Sequence, residues 1–330
     1  MKTVLPFIAV VIFVLLPLFG VTVAQQTEIF FGVAVPYAAV AVFVLGFIYR
    51  VLQWGKSPVP FCIPTTCGQQ KSLPWIRQDK LENPVTTMQV VGRMLLEVLV
   101  FRSLFRNIKA EMKEGKAVYG SEKLLWLAGL AFHWSFLFIF VRHYRFFVQD
   151  VPTVIQMMEG VDGFFQIGAP LFYMTDAVIL GAVTFLLVRR VYLPQIRYIS
   201  LAADFFPLFL ILAIAISGIL MRYFFKTHIV AVKQLAMGLV SLNPVIPQGI
   251  GAIFYVHLFL ICVLLMYFPF SKLMHMGGVF LSPTRNMAND SRIVRHINPW
   301  NYPVHVHTYE EYENDFREKM KKAGLPVEKE

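Results

Sequence analysis

The sequence predicts an all-α fold: a polytopic membrane helical bundle with about six transmembrane helices. Three observations carry that reading. Hydrophobic residues fill 57% of the 330 positions and charged residues only 15%, with 31 phenylalanines, a balance foreign to an ordinary water-soluble domain. The apolar residues gather into stretches close to the roughly 20 residues a helix needs to cross a bilayer. The basic residues are shared unevenly between the connections that join those stretches.

In chain order, the first stretch runs from Val4 to Val23. It ends in Val21-Thr22-Val23-Ala24, a small-residue pattern that a signal peptidase could cut before Gln25. Its flank holds a single Lys2 and its apolar core is longer than a signal segment needs, so it reads as a retained span. Ile29 to Tyr49 is the second span. Residues 1–52 thus form two N-terminal helices, and residues 53–123 an insertion. The first half of the insertion, Pro58 through Pro84, is rich in proline and turn residues and reads as irregular. The second half, Thr86 to Lys113, reads as helix. Its apolar run Met94 to Phe101 is interrupted by Glu97 and surrounded by Arg93, Arg102 and Arg106. That run is too short to span and suits an interfacial or partner-facing amphipathic helix.

Residues 124–276 hold four further spans: Leu124 to Val148, Phe164 to Val188, the shorter Phe205 to Met221, and Gly249 to Ser271. Two connections on one side differ in character. Gln149 to Asp162 carries Asp150, Glu159 and Asp162, whereas Tyr223 to Gln248 is apolar enough for a short helix lying flat, ended by Pro244 and Pro247. The tail, residues 277–330, loses all spanning character. Asn298 to Pro303 reads as extended with exposed aromatics, and Tyr309 to Lys322, with alternating charges, as a solvated helix.

Of the 30 basic residues, 25 fall on one side of this arrangement; Arg142, Arg145, Arg222, Lys226 and Lys233 fall on the other. The rich side should be the cytoplasm. The expected location is the cytoplasmic (inner) membrane, multi-pass, with both termini, the insertion and the tail cytoplasmic. The net charge of +10 then reflects topology rather than nucleic-acid binding. The three cysteines offer neither a disulfide framework nor a covalent c-type haem motif. Cys262 reads as packing, and Cys62 with Cys67 are too few for a zinc or iron–sulfur site alone.

Four histidines carry the chemistry. His133 and His143 lie in one span, His257 and His275 at the two ends of another. An intramembrane histidine is costly unless it has a partner or a task. A b-type haem held by two imidazoles needs one nitrogen from each side of the porphyrin. Two antiparallel helices with two histidines each can therefore sandwich two b haems, pairing His133 with His275 and His143 with His257. The spacings are in tension: 10 residues rise roughly 15 Å and 18 residues roughly 27 Å along one helical face. Tilt, or unwinding near Pro269, must absorb the difference. Arg142, Arg145 and Arg222, at the external ends of spans, are candidate propionate partners, with snorkelling to the interface as the simpler alternative. Ser217-Gly218 would let a porphyrin approach the backbone, although helix packing explains such a pair equally well.

This double spacing resembles the dihaem cytochrome b of the respiratory nitrate reductase gamma-subunit family, over roughly residues 30 to 275. By resemblance, His143 and His257 would hold an external haem, and His133 with His275 a cytoplasmic one. The first span, the insertion and the tail depart from that pattern. The segment Phe61-Cys62-Ile63-Pro64-Thr65-Thr66-Cys67-Gly68-Gln69-Gln70 is similar instead to the M subunit of the membrane complex linked to dissimilatory sulfite reductase. That resemblance implies menaquinone chemistry and a cytoplasmic iron–sulfur partner similar to heterodisulfide reductase. It also implies further membrane and periplasmic subunits in sulfate respiration.

The function expected is electron transfer between menaquinone or menaquinol and that cytoplasmic subunit, docked on the tail and the insertion. The quinone site is expected at the external face, beside the His143–His257 pair, with Arg145, Glu159, Asp162 and Asp176 as candidate residues. Two alternatives stand: the cytochrome b anchor of a nitrate or heterodisulfide reductase, and a proton-coupled transporter using the histidines and Asp176. Transporters of that kind often carry inverted repeats, and no repeat is evident.

Overall fold

The computed structural model describes residues 2–24, 27–57, 68–163, 171–293 and 305–329. The cut point before Gln25, Cys62 and Cys67, the expected start of the fourth span at Phe164, and the segment from Asn298 to Pro303 lie outside the described residues.

Among the described residues, five helices are long and apolar enough to cross a membrane: α1 (Val4–Val23), α2 (Thr27–Gly55), and three others running Lys123–Phe146, Ala202–Phe224 and Ala252–Phe270. The fold is all-α and polytopic. The insertion begins its helical part with α3 (Thr87–Val100), for which the Thr86 side chain accepts from the Gln89 N–H, an N-cap that supplies one of the orphan amides of the first turn. The expected helix does not continue to Lys113. It stops at Phe101, and Ile108–Lys113 (β1) pairs antiparallel with Lys116–Ser121 (β2). The reason is local. Glu114 and Gly115, the two residues between the strands, both have positive φ (53° and 76°), and a two-residue hairpin turn of that kind matches the twist of its strands.

The third long helix comprises α4 (Lys123–His143) and a 3-10 turn to Phe146. A ten-residue helix, α5 (Thr153–Asp162), fills the acidic connection. The next is α6 (Met174–Tyr192), beginning ten residues later than Phe164. Its 19 residues rise roughly 28 Å, with Asp176 in the first turn and Arg189 and Arg190 in the last. Then follow α7 (Ala202–Ile219), continued by a π-helical turn over Leu220–Phe224, and the short α8 (Ile229–Val240) in the apolar connection. The last long helix is α9 (Ala252–Tyr267).

After Tyr267 the helix unwinds. Phe268–Phe270 form a 3-10 turn containing Pro269, Ser271 is extended (φ −121°, ψ 176°), and a second 3-10 turn, Lys272–Met274, delivers His275 to the start of α10 (His275–Leu281). Proline supplies no N–H for the helical ladder and clashes with the preceding turn. The Ser271 hydroxyl then accepts from Leu273 N–H, starting the new turn.

Helix α4 packs on α6, α6 on α7 and α7 on α9, while α1 and α2 pack on the outer flank of α9. The buried core lies in that flank, where Val10, Phe31, Leu210, Tyr255 and Leu260 meet. Phe13 packs edge-on against Phe206 (6.3 Å) and Phe259 (6.1 Å). In lipid, helix association depends on such close packing more than on escape from water. Gly46 of α2 shows the same rule: a Cβ there would lie 2.8 Å from the Cβ of Pro269, so glycine is what lets α2 approach the break.

The insertion and the start of the tail form one cap. Arg285 bonds Glu97 (2.6 Å) and the Ser103 hydroxyl (2.9 Å), Asn289 N–H donates to Pro84 O (2.6 Å), and Arg102 and Arg106 both pair with Glu82. Farther along, α11 (Tyr309–Lys322) opens with a capping box between Thr308 and Glu311. The chain then folds back so that Glu328 and Lys329 donate their backbone N–H groups to Glu313. The Glu328 amide, more than any other neighbour, holds the Glu313 carboxyl below the usual carboxylate range.

Gly46→Val should lower the thermal unfolding midpoint in detergent, with a cost of about 1–3 kcal/mol for overpacking. Gly55→Ala, where a Cβ meets nothing within 4 Å, should leave the midpoint unchanged. Equal midpoints for both variants would show that the α2–Pro269 approach is not a limiting contact.

Candidate functional site

The break after Tyr267 decides the geometry of the histidines. On one continuous helix His257 and His275 would stand roughly 27 Å apart, too far to match His133 and His143. With the chain unwound from Phe268 to Met274, the His133 and His275 rings lie 5.9 Å apart, centroid to centroid, and those of His143 and His257 6.3 Å apart. Two imidazoles bound from opposite sides to one metal, each at about 2 Å through nitrogen, have centroids separated by roughly 6 Å. Both pairs have that separation.

The second nitrogen of each ring is also engaged. His133 Nδ1–H donates to Gly129 O (2.7 Å) and His143 Nδ1–H to Ile139 O (2.6 Å), each one turn back on α4. His275 Nδ1–H donates to Lys272 O at 2.9 Å. The Ser217 hydroxyl donates to Ile214 O, so its oxygen accepts from His257 Nδ1 at 2.9 Å. With Nδ1 protonated and bonded, Nε2 keeps its lone pair, and a metal-ligating histidine usually has such a partner on its other nitrogen. The residues fit a group with two axial nitrogen ligands. Ser217-Gly218 takes part directly: besides the hydroxyl contact, a Cβ at Gly218 would lie 3.2 Å from His257 Cε1.

A polar cluster lies beside the His143 end of α4. Arg142 is buried (8% exposed), paired with Asp162 and, at 2.8 Å, with Asp176. Asp162 also accepts from Thr175 N–H (2.8 Å) and from its hydroxyl (2.6 Å). The second oxygen of Asp176 accepts from Tyr223 OH at 2.8 Å, and Tyr223 OH accepts from Tyr173 N–H at 3.0 Å. The Tyr173 ring is held between two guanidiniums, Arg142 at 3.7 Å and Arg222 at 3.9 Å. Arg222 in turn donates to Leu171 O from Nε (3.3 Å) and Nη2 (2.9 Å). Arg145 pairs with Glu159 at 2.8 Å, partly in the open. Two buried carboxylates on one guanidinium are tolerable only because each oxygen has a donor. The π-helical turn at Leu220–Phe224 widens the end of α7 and carries Arg222 and Tyr223; such turns are frequent at functional sites.

The structure therefore gathers Arg142, Arg222, Asp162 and Asp176 into one network, with Arg145 and Glu159 forming a separate ion pair. The three arginines expected as propionate partners all bond to protein oxygens here. Sequence reasoning missed Tyr173, Thr175 and Tyr223, because aromatics at span ends ordinarily read as interfacial anchors. It also missed Phe101, whose ring packs edge-on against His133 at 4.9 Å. No pattern in the chain announces that contact.

Similarity to known proteins agrees with this architecture. Residues 93–296 match the family model described as nitrate reductase gamma subunit. The chain is 47% identical over 279 residues to a protein of Archaeoglobus fulgidus named Hdr-like menaquinol oxidoreductase cytochrome b-like subunit, covering 82% of this chain and 83% of the relative. A protein of the same name from Archaeoglobus profundus is 40% identical over 274 residues, 81% of each chain. With a span from α3 to beyond α10 matched, and relatives of such identity over four-fifths of its length, this multi-pass membrane protein belongs to the nitrate reductase gamma-subunit family.

Proposed function

We propose that this chain is a dihaem membrane cytochrome b that moves electrons between menaquinone and an iron–sulfur partner of the heterodisulfide-reductase type. The observation that carries the reading is the two imidazole couples, with ring centroids 5.9 and 6.3 Å apart and every Nδ1 already engaged. The relatives' names supply menaquinol and the Hdr-like partner. The segment Phe61 to Gln70 supports a place in dissimilatory sulfur metabolism, among further membrane and periplasmic subunits.

Bound between these imidazoles, each haem would supply a one-electron carrier. The polypeptide would hold each group through two imidazole nitrogens and handle protons. Electrons would cross between the His143–His257 and His133–His275 levels. The basic-rich face, with the insertion, the tail and both termini, is cytoplasmic in this reading, as the positive-inside rule requires. The soluble partner then docks near His133 and His275.

Quinol oxidation releases protons as well as electrons, so its site needs an acceptor and a route to water. The Arg142–Asp162–Asp176–Tyr223 network, adjoining His143, supplies buried carboxylates, and the Arg145–Glu159 pair at its rim supplies the route. Tyr223 OH and one oxygen of Asp176 form the hydrogen-bonded end of that network. They would orient a quinol hydroxyl and receive its proton.

Three expected outcomes test these parts. Replacing His143 or His257 by alanine should delete one and the same b-type component from the reduced-minus-oxidised spectrum, and replacing His133 or His275 the other. Loss of a shared component in His133→Ala and His257→Ala would overturn the pairing. Asp176→Asn keeps a hydrogen-bonding group but removes the proton acceptor, so haem reduction by a menaquinol analogue should slow by roughly a hundredfold with both haems retained. Unchanged kinetics would move the quinone site elsewhere. Truncation after Ile293 spares the Arg285–Glu97 and Asn289–Pro84 contacts of the cap. It should release the soluble partner while leaving both haem spectra intact, and a complex that survives would exclude residues 294–330 as the main contact.

A further inference from the structure

The two imidazole pairs differ in one respect. The rings of His143 and His257 lie 21° from parallel, whereas those of His133 and His275 are crossed at 81°. The Nδ1 bond to Gly129 O fixes which edge of His133 faces its own helix, but a ring held by one bond can still swing about it. Two aromatic edges limit the swing. Phe132, its sequence neighbour, meets it at 5.0 Å and 87°, and Phe101, from the insertion, at 4.9 Å and 89°.

Phe101 is placed with unusual care. It sits at φ 52°, ψ 49°, a left-handed conformation that a bulky residue rarely adopts. Its own N–H closes α3 on Leu96 O. The two preceding carbonyls are taken by indoles of α4: Trp126 Nε1 donates to Val100 O (2.7 Å) and Trp134 Nε1 to Leu99 O (3.0 Å). On the far side, Arg102 is anchored to Glu82. The end of α3 is thus fastened to the helix that carries His133, one tryptophan before that residue and one directly after it. An outlying backbone conformation kept by so many bonds points to a task for the side chain. The side chain meets the imidazole.

We propose that Phe101 is a positioning residue that holds the His133 imidazole crosswise to His275, so that the two haem sites of this chain have different axial ring geometries, one crossed and one near-parallel. The inference rests on the dihaem reading given above. Its physical consequence follows from ligand orbitals. Each imidazole π system interacts with the iron d orbital perpendicular to its own plane. Parallel rings act on the same orbital and separate its energy from its partner's. Crossed rings act on both orbitals alike and leave them nearly degenerate. The arrangement of axial ligands and their second contacts is one of the few levers a protein has on a haem.

Electron paramagnetic resonance of the oxidised complex reads this directly. The wild type should show two low-spin ferric signals: a strongly anisotropic one with a large maximum g value from the crossed pair, and a rhombic one from the near-parallel pair. His275→Ala should remove the first signal and leave the second. Phe101→Gly keeps a residue that enters the left-handed region freely but deletes the ring; the large-g signal should move toward the rhombic type, with the other signal unchanged. Phe101→Tyr, which retains the aromatic edge, should restore the wild-type spectrum. Should Phe101→Gly lose that haem outright, Phe101→Leu fills the space without an aromatic edge and should show the same shift. Two signals of one type in the wild type, or unmoved signals in Phe101→Gly or in the leucine variant, would overturn the proposal. Absence of any low-spin haem signal in the wild type would instead overturn the dihaem reading itself.

Discussion

Everything in this molecule hangs on the interruption of its last span. A helix that ran unbroken from Ala252 to Leu281 would place His257 and His275 too far apart to meet two residues separated by about half a span on α4. Pro269 removes the ladder hydrogen bond, Ser271 turns extended, and two 3-10 turns bring His275 back within 5.9 Å of His133. Gly46 is part of the same device, since only a residue without a Cβ lets α2 close against the proline. A local defect in one helix thus sets the level of both imidazole pairs.

A second constraint is electrostatic. Arg142 adjoins His143 in sequence, and its guanidinium is buried between Asp162 and Asp176. Leaving any one of these charges alone at that depth would cost several kcal/mol. Asp162 comes from α5, Asp176 from the first turn of α6, and Tyr223 from the π turn that ends α7. The network therefore ties three helices to the His143 end of α4. Tyr173, stacked between two guanidiniums, attracts both Arg142 and Arg222 through its π face and so offsets part of their mutual repulsion.

At the opposite end of α4 the ties are of another kind. The insertion is fixed by indole hydrogen bonds, by the Arg285–Glu97 pair and by the contact between Asn289 and Pro84. One end of α4 is consequently enclosed by charge-paired side chains and the other by a folded cap that rests on a histidine ring through Phe101. That asymmetry is the one the proposed division between a quinone face and a docking face would use.

The amino-acid sequence by itself determined the elements whose cause is local or periodic. Uninterrupted apolar runs specify α1, for which the expected and observed bounds coincide at Val4 and Val23, and alternating charge specifies α11, again with coincident bounds. Histidine spacing singled out four residues, and Pro269 marked where the helix had to give. The sequence pattern failed where conformation depends on partners. The 108–121 hairpin was masked by a composition that also suits a helix, and was decided by a two-residue turn of positive φ. The start of α6 could not be placed from hydropathy, because the apolar run continues upstream through Leu171, Phe172 and Tyr173 while the backbone at Tyr173 is extended. Only the tertiary structure could bring Phe101 to His133, Ser217 to His257, and three helices around one guanidinium. Those contacts join residues 20 to 47 positions apart, and no periodicity of a single helix encodes them.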